Sequence, residues 1–189
     1  MKPPALSAVV LAGGAGRRLG GADKGLAMFR GRPLVAHVLE RLRGQADEIF
    51  ISANRNLDAY RALGYRVLQD ATPDYPGPLE GLRGALAAAR HAHLLCVPCD
   101  LPFLPADLAP RLMRALEAGD AQVAVAHAAG RAQPVVCLCR RDVLPSLHAY
   151  LAAGGRAVGR WQEGLRHVAV VFDDAGAFFN VNTERALED

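Results

Sequence analysis

Ser7-Ala8-Val9-Val10-Leu11-Ala12-Gly13-Gly14 is the stretch from which the architecture follows. A short, branched, apolar run that ends on paired glycines reads as a strand buried on both faces and running into a loop. The loop, residues 13–24, carries five glycines and ends at Lys24. Downstream, the same alternation repeats. Pro33–Arg43 places Val35, Val38, Leu39 and Leu42 on one helical face. Glu48–Ser52 is a second strand, Leu57–Leu63 a short helix, and Arg66–Gln69 a third strand. Leu79–Arg90 is an alanine-rich helix, His93–Val97 a fourth strand, and Ala106–Leu116 another helix. Strands alternating with helices predict an α/β domain in three layers, with a mostly parallel, twisted, nucleotide-binding sheet covered on both faces.

After Gly119 the pattern changes. Gln122–His127 and Gln133–Cys139 read as two strands joined through residues 128–131, a hairpin that adds an antiparallel extension. Helical segments over Asp142–Ala152 and Arg156–Gln162 follow, then a strand over Val168–Phe172 and a terminal helical turn over Thr183–Leu187. With no repeat and no linker, residues 1–189 read as one domain.

Composition narrows the function classes. The 189 residues are 51% hydrophobic and 22% charged, the balance of a globular protein, and can bury a real core. A net charge of +3 is too small to imply a nucleic-acid or membrane partner. No run approaches the ~20 apolar residues of a membrane span, and the N-terminal apolar run is too short for a secretory signal. The expected location is the cytoplasm. Cys96, Cys99, Cys137 and Cys139 have spacings that could suggest zinc, but they fall within or just after apolar strands and read as small core residues. Of 22 basic residues only Lys2 and Lys24 are lysines. A lysine kept at the end of a glycine loop in so arginine-rich a chain suits a compact, phosphate-binding charge.

Ligands of open α/β sheets bind beyond the carboxyl ends of the strands. The four N-terminal strands are followed by the glycine loop, Asn54, Asp70 and Asp100, so these groups gather along one edge. The loop is neither of the common phosphate cradles. Gly16 and Gly21 have the Walker spacing, but Ala22 and Asp23 stand where that loop needs Lys-Ser/Thr, and Leu19 stands where a dinucleotide fingerprint needs its third glycine. Its backbone N–H groups, with Arg17, Arg18 and Lys24, still suit a triphosphate. Asp100, stiffened by the prolines of Leu101-Pro102-Phe103-Leu104-Pro105, suits Mg²⁺, which takes one or two carboxylates plus phosphate oxygens.

Leu11-Ala12-Gly13-Gly14-Ala15-Gly16-Arg17-Arg18-Leu19-Gly20-Gly21-Ala22-Asp23-Lys24-Gly25-Leu26 resembles the signature LAGGxxxRMGGxDKGL of molybdenum cofactor guanylyltransferases of the MobA type. Ser52-Ala53-Asn54-Arg55, Tyr75-Pro76-Gly77-Pro78-Leu79, Pro98-Cys99-Asp100-Leu101-Pro102-Phe103 and Asn180-Val181-Asn182-Thr183 resemble further family segments in the family order. The resemblance implies transfer of GMP from GTP to molybdopterin with release of pyrophosphate. It implies that Leu11, Ala12, Gly13, Gly14 and Lys24 hold GTP, and that Asn54 and Asp70 contact its guanosine part. Asp100 would bind Mg²⁺, and Arg18, Lys24 and Asp100 would serve catalysis. Arg156, Asn180 and Asn182 would face molybdopterin. The N-terminal part, about 1–105, would then bind GTP and Mg²⁺, and about 120–189 would form the molybdopterin side. Cofactor-delivery proteins and molybdoenzymes are the implied protein partners.

Two departures stand out. Leu19 replaces the usual Met, and Glu80 stands where the family usually has Ala, beside a triphosphate. A carboxylate there is expected to point outward or to cap the helix of Leu82. Two other readings compete. Cytidylyltransferases acting on the same cofactor resemble LAAG at the loop start, whereas Gly13 favours GTP here. A non-catalytic nucleotide-binding regulator would not need both Lys24 and Asp100.

Overall fold

The computed structural model describes residues 5–14, 23–70 and 77–181. Among these residues nine strands and six helices run in the order β1 (Ser7–Leu11), β2 (Met28–Phe29), β3 (Arg32–Pro33), α1 (Leu34–Leu42), β4 (Glu48–Ser52), α2 (Leu57–Arg61), β5 (Arg66–Leu68), α3 (Pro78–Ala88), β6 (His93–Pro98), α4 (Leu108–Ala118), β7 (Val123–Ala128), β8 (Arg131–Arg140), α5 (Leu144–Ala152), α6 (Val158–Glu163) and β9 (His167–Phe172), and all but β2 and β3 match the expected elements. The terminal helical turn expected over 183–187 lies outside the described residues.

Seven strands form one sheet in the order β5-β4-β1-β6-β8-β7-β9. β1 pairs in parallel with β4 and β6, β4 with β5, and β7 with β9, while β8 runs antiparallel to both neighbours. The antiparallel extension is therefore a single reversed strand between β6 and β7. Alternation along β1 divides the core: Ala8 and Val10 face α1, α2 and α4, while Val9 faces α3, α5 and α6. Helices cover both faces, as the continuous apolar strands require.

Two local features were not foreseen. Met28–Phe29 and Arg32–Pro33 form a small antiparallel ribbon around Arg30 and Gly31, both at positive φ (46° and 74°). The β7–β8 hairpin, expected through residues 128–131, likewise turns on two residues at positive φ, Ala129 (51°) and Gly130 (71°). Paired left-handed residues are what a two-residue hairpin needs, but in the unforeseen ribbon an Asn-Gly signal would have been easier to recognise than Arg-Gly. In β8 the register jumps from Cys137 opposite Val125 to Gln133 opposite Ala126, so residues 134–136 bulge out. Pro134 lies in this bulge, where its missing N–H costs no ladder bond, and its carbonyl accepts from Gln162 Nε2 at 2.8 Å.

The cysteines are buried strand or strand-end residues, as expected, and the sheet separates them. Cys96, Cys137 and Cys139 belong to the α3/α5/α6 side and Cys99 to the other. Four thiolates from these residues cannot meet at one ion. Among the described residues no group of three or more metal-ligating side chains converges. Burial pushes the Cys99 thiol up to about 12, the opposite of what metal ligation favours. No helix among the described residues is long and apolar enough to cross a membrane.

Candidate nucleotide-binding site

The carboxyl ends of β5, β4, β1 and β6 lie side by side and carry, in that order, Asp70, Asn54, the glycine loop and Asp100. Chain order reverses at β1, with β4 on one side and β6 on the other, the kind of switch point where a crevice opens above a sheet.

The β1 end is held on both flanks. Ala12 N–H donates to Ser52 O at 2.8 Å, and Cys99 N–H donates to Leu11 O at 3.1 Å. These bonds extend the parallel ladders one step beyond the strands and place Gly13 beside Asn54. A Cβ on Gly13 would lie 3.1 Å from Asn54 Nδ2, so glycine lets backbone and amide approach closely. Asn54 and Asp70 lock together: Asn54 Nδ2 donates to Asp70 Oδ2 at 2.8 Å, and Asp70 N–H donates to Asn54 Oδ1 at 2.9 Å. Asp70 Oδ1 is buried without a partner among the described residues. Burial raises the Asp70 pKa, the Asn54 amide opposes this, and the Glu80 carboxylate adds to the rise.

Glu80 does not point outward. It is 8% exposed, and Arg83, one turn on, donates to it from Nε at 2.7 Å. Among the described residues its carboxylate accepts from Arg83 and not from a backbone N–H of the first turn of α3, so it makes no cap either. The i,i+3 arginine neutralises the carboxylate within the helix, which is why it is tolerated at this edge.

On the β6 side, Lys24 sits in a short 3₁₀ turn, Lys24–Leu26. Its ammonium donates to Asp100 Oδ2 at 2.5 Å and to Asn180 Oδ1 at 3.1 Å. Val181 N–H donates to Asp100 O at 3.0 Å and fixes the segment that carries Asn180. Asp100 Oδ1 is buried and unpartnered among the described residues. A hard carboxylate oxygen with no partner among the described residues is the kind of donor that fits Mg²⁺, which needs few protein ligands where phosphate and water supply the rest.

Lys24, Asp100 and Asn180 are thus brought together, and so are Gly13, Asn54 and Asp70. Arg156 is not drawn in. Its guanidinium donates to the backbone carbonyls of Leu151 (3.2 Å) and Gly155 (2.7 Å) between α5 and α6. Arg17, Arg18 and Asn182 lie outside the described residues. Residues not singled out from the sequence surround Asp23. Tyr60 and Asn56 donate to its carboxylate, and Arg55 lies beside it. The helical spacing of Tyr60 marks it only as a core residue.

Residues 8–168 match the family described as MobA-like NTP transferase domain. The chain is 45% identical to the molybdenum cofactor guanylyltransferase of Cupriavidus pinatubonensis over 94% of this chain and 92% of that one. It is 47% identical to the one from Methylibium petroleiphilum, over 94% and 91%. Among solved structures, molybdopterin-guanine dinucleotide biosynthesis protein A from Archaeoglobus fulgidus superposes with a TM-score of 0.79 at 21% identity, covering 96% of this chain and 95% of that one. The 4-diphosphocytidyl-2C-methyl-D-erythritol synthase of Anaerococcus prevotii reaches 0.79 at 13% identity, covering 98% and 93%. The structural likenesses establish the fold alone. Sequence identity and the family match together go further, and the chain belongs to the MobA-like NTP transferase family.

Proposed function

We propose that this chain is a molybdenum cofactor guanylyltransferase, joining GMP from GTP to the terminal phosphate of molybdopterin and releasing pyrophosphate. The observation that carries the reading is the convergence of Lys24, Asp100 and Asn180 on one side of the glycine loop, with the Asn54–Asp70 pair on the other. This divides the edge into a phosphate end and a base end.

At the base end, the unpartnered Asp70 Oδ1 is an acceptor suited to the N–H edge of guanine, and Asn54 orients that carboxylate by gripping its other oxygen. At the phosphate end, the Lys24 ammonium, a point charge on a flexible stem, can turn from Asp100 toward an incoming triphosphate. Backbone N–H groups of a glycine-rich segment are the kind of donors that would add to this charge. Bound at Asp100, Mg²⁺ would supply charge neutralisation to the phosphates. Asn180 holds Lys24 from the second side, which joins the segment implied to face molybdopterin to the phosphate end.

The attacking phosphate oxygen is already anionic, so the site needs no general base. None of the six histidines hydrogen-bonds to Lys24, Asn54, Asp70 or Asp100 among the described residues. Rate acceleration would come from positioning and electrostatic stabilisation of the leaving pyrophosphate. The test is turnover with molybdopterin and either GTP or CTP in the presence of Mg²⁺. GMP transfer with release of pyrophosphate is expected. A preference for CTP, or binding without turnover, would overturn the reading.

A further inference from the structure

Asp23 precedes Lys24 and is no ordinary loop carboxylate. Its side chain is 6% exposed, and groups from a single stretch, residues 55–60, meet it. Tyr60 Oη donates to Oδ1 at 2.5 Å and Asn56 Nδ2 to Oδ2 at 2.9 Å, while Arg55 Nε lies 3.7 Å from Oδ2. Tyr60 is fully buried, so its hydroxyl needs a partner, and Asp23 is the one it has. Burial and the adjacent carboxylate both raise the phenol pKa, so it stays a donor throughout the working range.

The same hydroxyl also borders the residue after Lys24. A Cβ built on Gly25 would stand 2.4 Å from Tyr60 Oη and 3.2 Å from Ala12 Cβ. Lys24 is therefore flanked on one side by a residue bonded to Tyr60 and on the other by a residue wedged against it. Two turn bonds, Leu26 N–H to Asp23 O at 3.1 Å and Ala27 N–H to Lys24 O at 3.2 Å, carry that constraint through the lysine backbone. Its side chain leaves this fixed turn toward Asp100 and Asn180.

We infer that Tyr60 and Asn56 are positioning residues of the transfer reaction. Acting through the Asp23 carboxylate, they aim the Lys24 ammonium at the phosphate end of the site. The inference rests on the reading that Lys24 binds the triphosphate. It assigns a role in nucleotide binding to Tyr60 of α2 and to Asn56, the residue just before that helix, both outside the glycine loop. Without the socket, an extended lysine on a loose turn must be ordered by the ligand itself, and affinity falls by that ordering cost.

The test is a double-mutant cycle on GTP affinity, measured calorimetrically on the full chain with Mg²⁺ present. Tyr60→Phe keeps the ring and removes the donor. The expected loss is about tenfold, the scale of one hydrogen bond to a charged group. In a Lys24→Ala background the same change should cost less than about twofold, because the residue it acts through is gone. Asn56→Asp is a second probe on an exposed residue. Aspartate also accepts the left-handed backbone of position 56 (φ 50°), but it turns the donor into a like charge against Asp23. It should weaken GTP binding with the melting temperature nearly unchanged, so loss of fold in Tyr60→Phe would not decide the matter. Equal losses with and without Lys24, or wild-type affinity in both variants, would overturn the inference. Absence of GTP binding by the unaltered protein would instead overturn the reading of the site, and this inference with it.

Discussion

Helix α3 holds two glycines whose replacement by alanine should have opposite effects. Gly84 has open space where a Cβ would go, with nothing within 4 Å. Gly84→Ala should therefore stabilise the fold by about 0.5–1 kcal/mol, the helix-propensity difference between the two residues. Gly81 gains the same propensity but has no room. Its Cβ would stand 2.5 Å from Ser52 Oγ, 2.8 Å from Leu11 Cδ2 and 3.2 Å from Ser52 Cβ. Ordinary carbon contacts lie at about 3.5–4.0 Å, so the first two fall short by roughly 1 Å. Ser52 is 2% exposed, and its carbonyl accepts the Ala12 N–H, so it has little freedom to withdraw. Overpacking of this kind costs about 1–3 kcal/mol. Gly81→Ala should thus be destabilised overall, by roughly 1–2 kcal/mol, and the helix should be displaced from the ends of β1 and β4. At roughly 2–4 °C per kcal/mol for a chain this long, thermal melts separate the two variants. GTP affinity should fall only in Gly81→Ala, since Leu11 and Ser52 set the distance between Gly13 and Asn54. A Gly81→Ala protein as stable as Gly84→Ala would refute the close packing of α3 against this strand edge.

Asp100→Ala should lower kcat by on the order of a hundredfold or more while the melting curve persists; near-normal guanylyl transfer would sink its assignment as the Mg²⁺ ligand. Lys24→Arg should be nearly as damaging in kcat/KM for GTP as Lys24→Ala, because a planar guanidinium misplaces the phosphates and ~1 Å of misplacement can cost about a hundredfold; activity within a few-fold of wild type would show that charge alone suffices. Asp70 has a raised folded pKa, so the folded chain binds more protons than the unfolded one between the usual carboxylate value and the raised one, and stability falls as pH rises through that window. Asp70→Asn should therefore melt higher than wild type at pH 7, with the difference shrinking as pH falls toward 4, yet bind GTP more weakly; a melting difference that does not depend on pH would contradict this. Elemental analysis of the purified chain should find no stoichiometric zinc, since the sheet divides the cysteines between its two faces.

The strand-end logic that placed Asp70, Asn54, the glycine loop and Asp100 on one edge worked because parallel strands deliver their carboxyl ends to the same side whatever their order. That inference needs only strand positions, and buried parallel strands announce themselves as apolar runs. Pairing across the edge is a different kind of information. Lys24 and Asn180 are 156 residues apart, and nothing in either neighbourhood shows that an ammonium and an amide will meet. Tyr60 is hidden for another reason. A helical pattern assigns an aromatic to the core and stops there, whereas the useful group is the hydroxyl at its tip. The reversed strand was legible as one arm of a hairpin, but the bulge in β8 depends on where Pro134 falls relative to partner strands, which no single segment encodes.

Glu80 is the instructive error, because its correction was present in the sequence. Beside a triphosphate a lone carboxylate looked repulsive, and pointing it outward removed the conflict. Arg83 stands three residues later on the same helix, at the spacing where opposite charges meet. Read as a pair, Glu80 and Arg83 form a neutral unit that can remain at the edge. The unit is not electrostatically silent, since the Glu80 carboxylate still raises the Asp70 pKa and Arg83 opposes it. A charge that seems misplaced near a ligand should therefore first be tested against its own helical neighbours. Here that test leaves Glu80 inside the site's field, with Asp70 as the group that feels it.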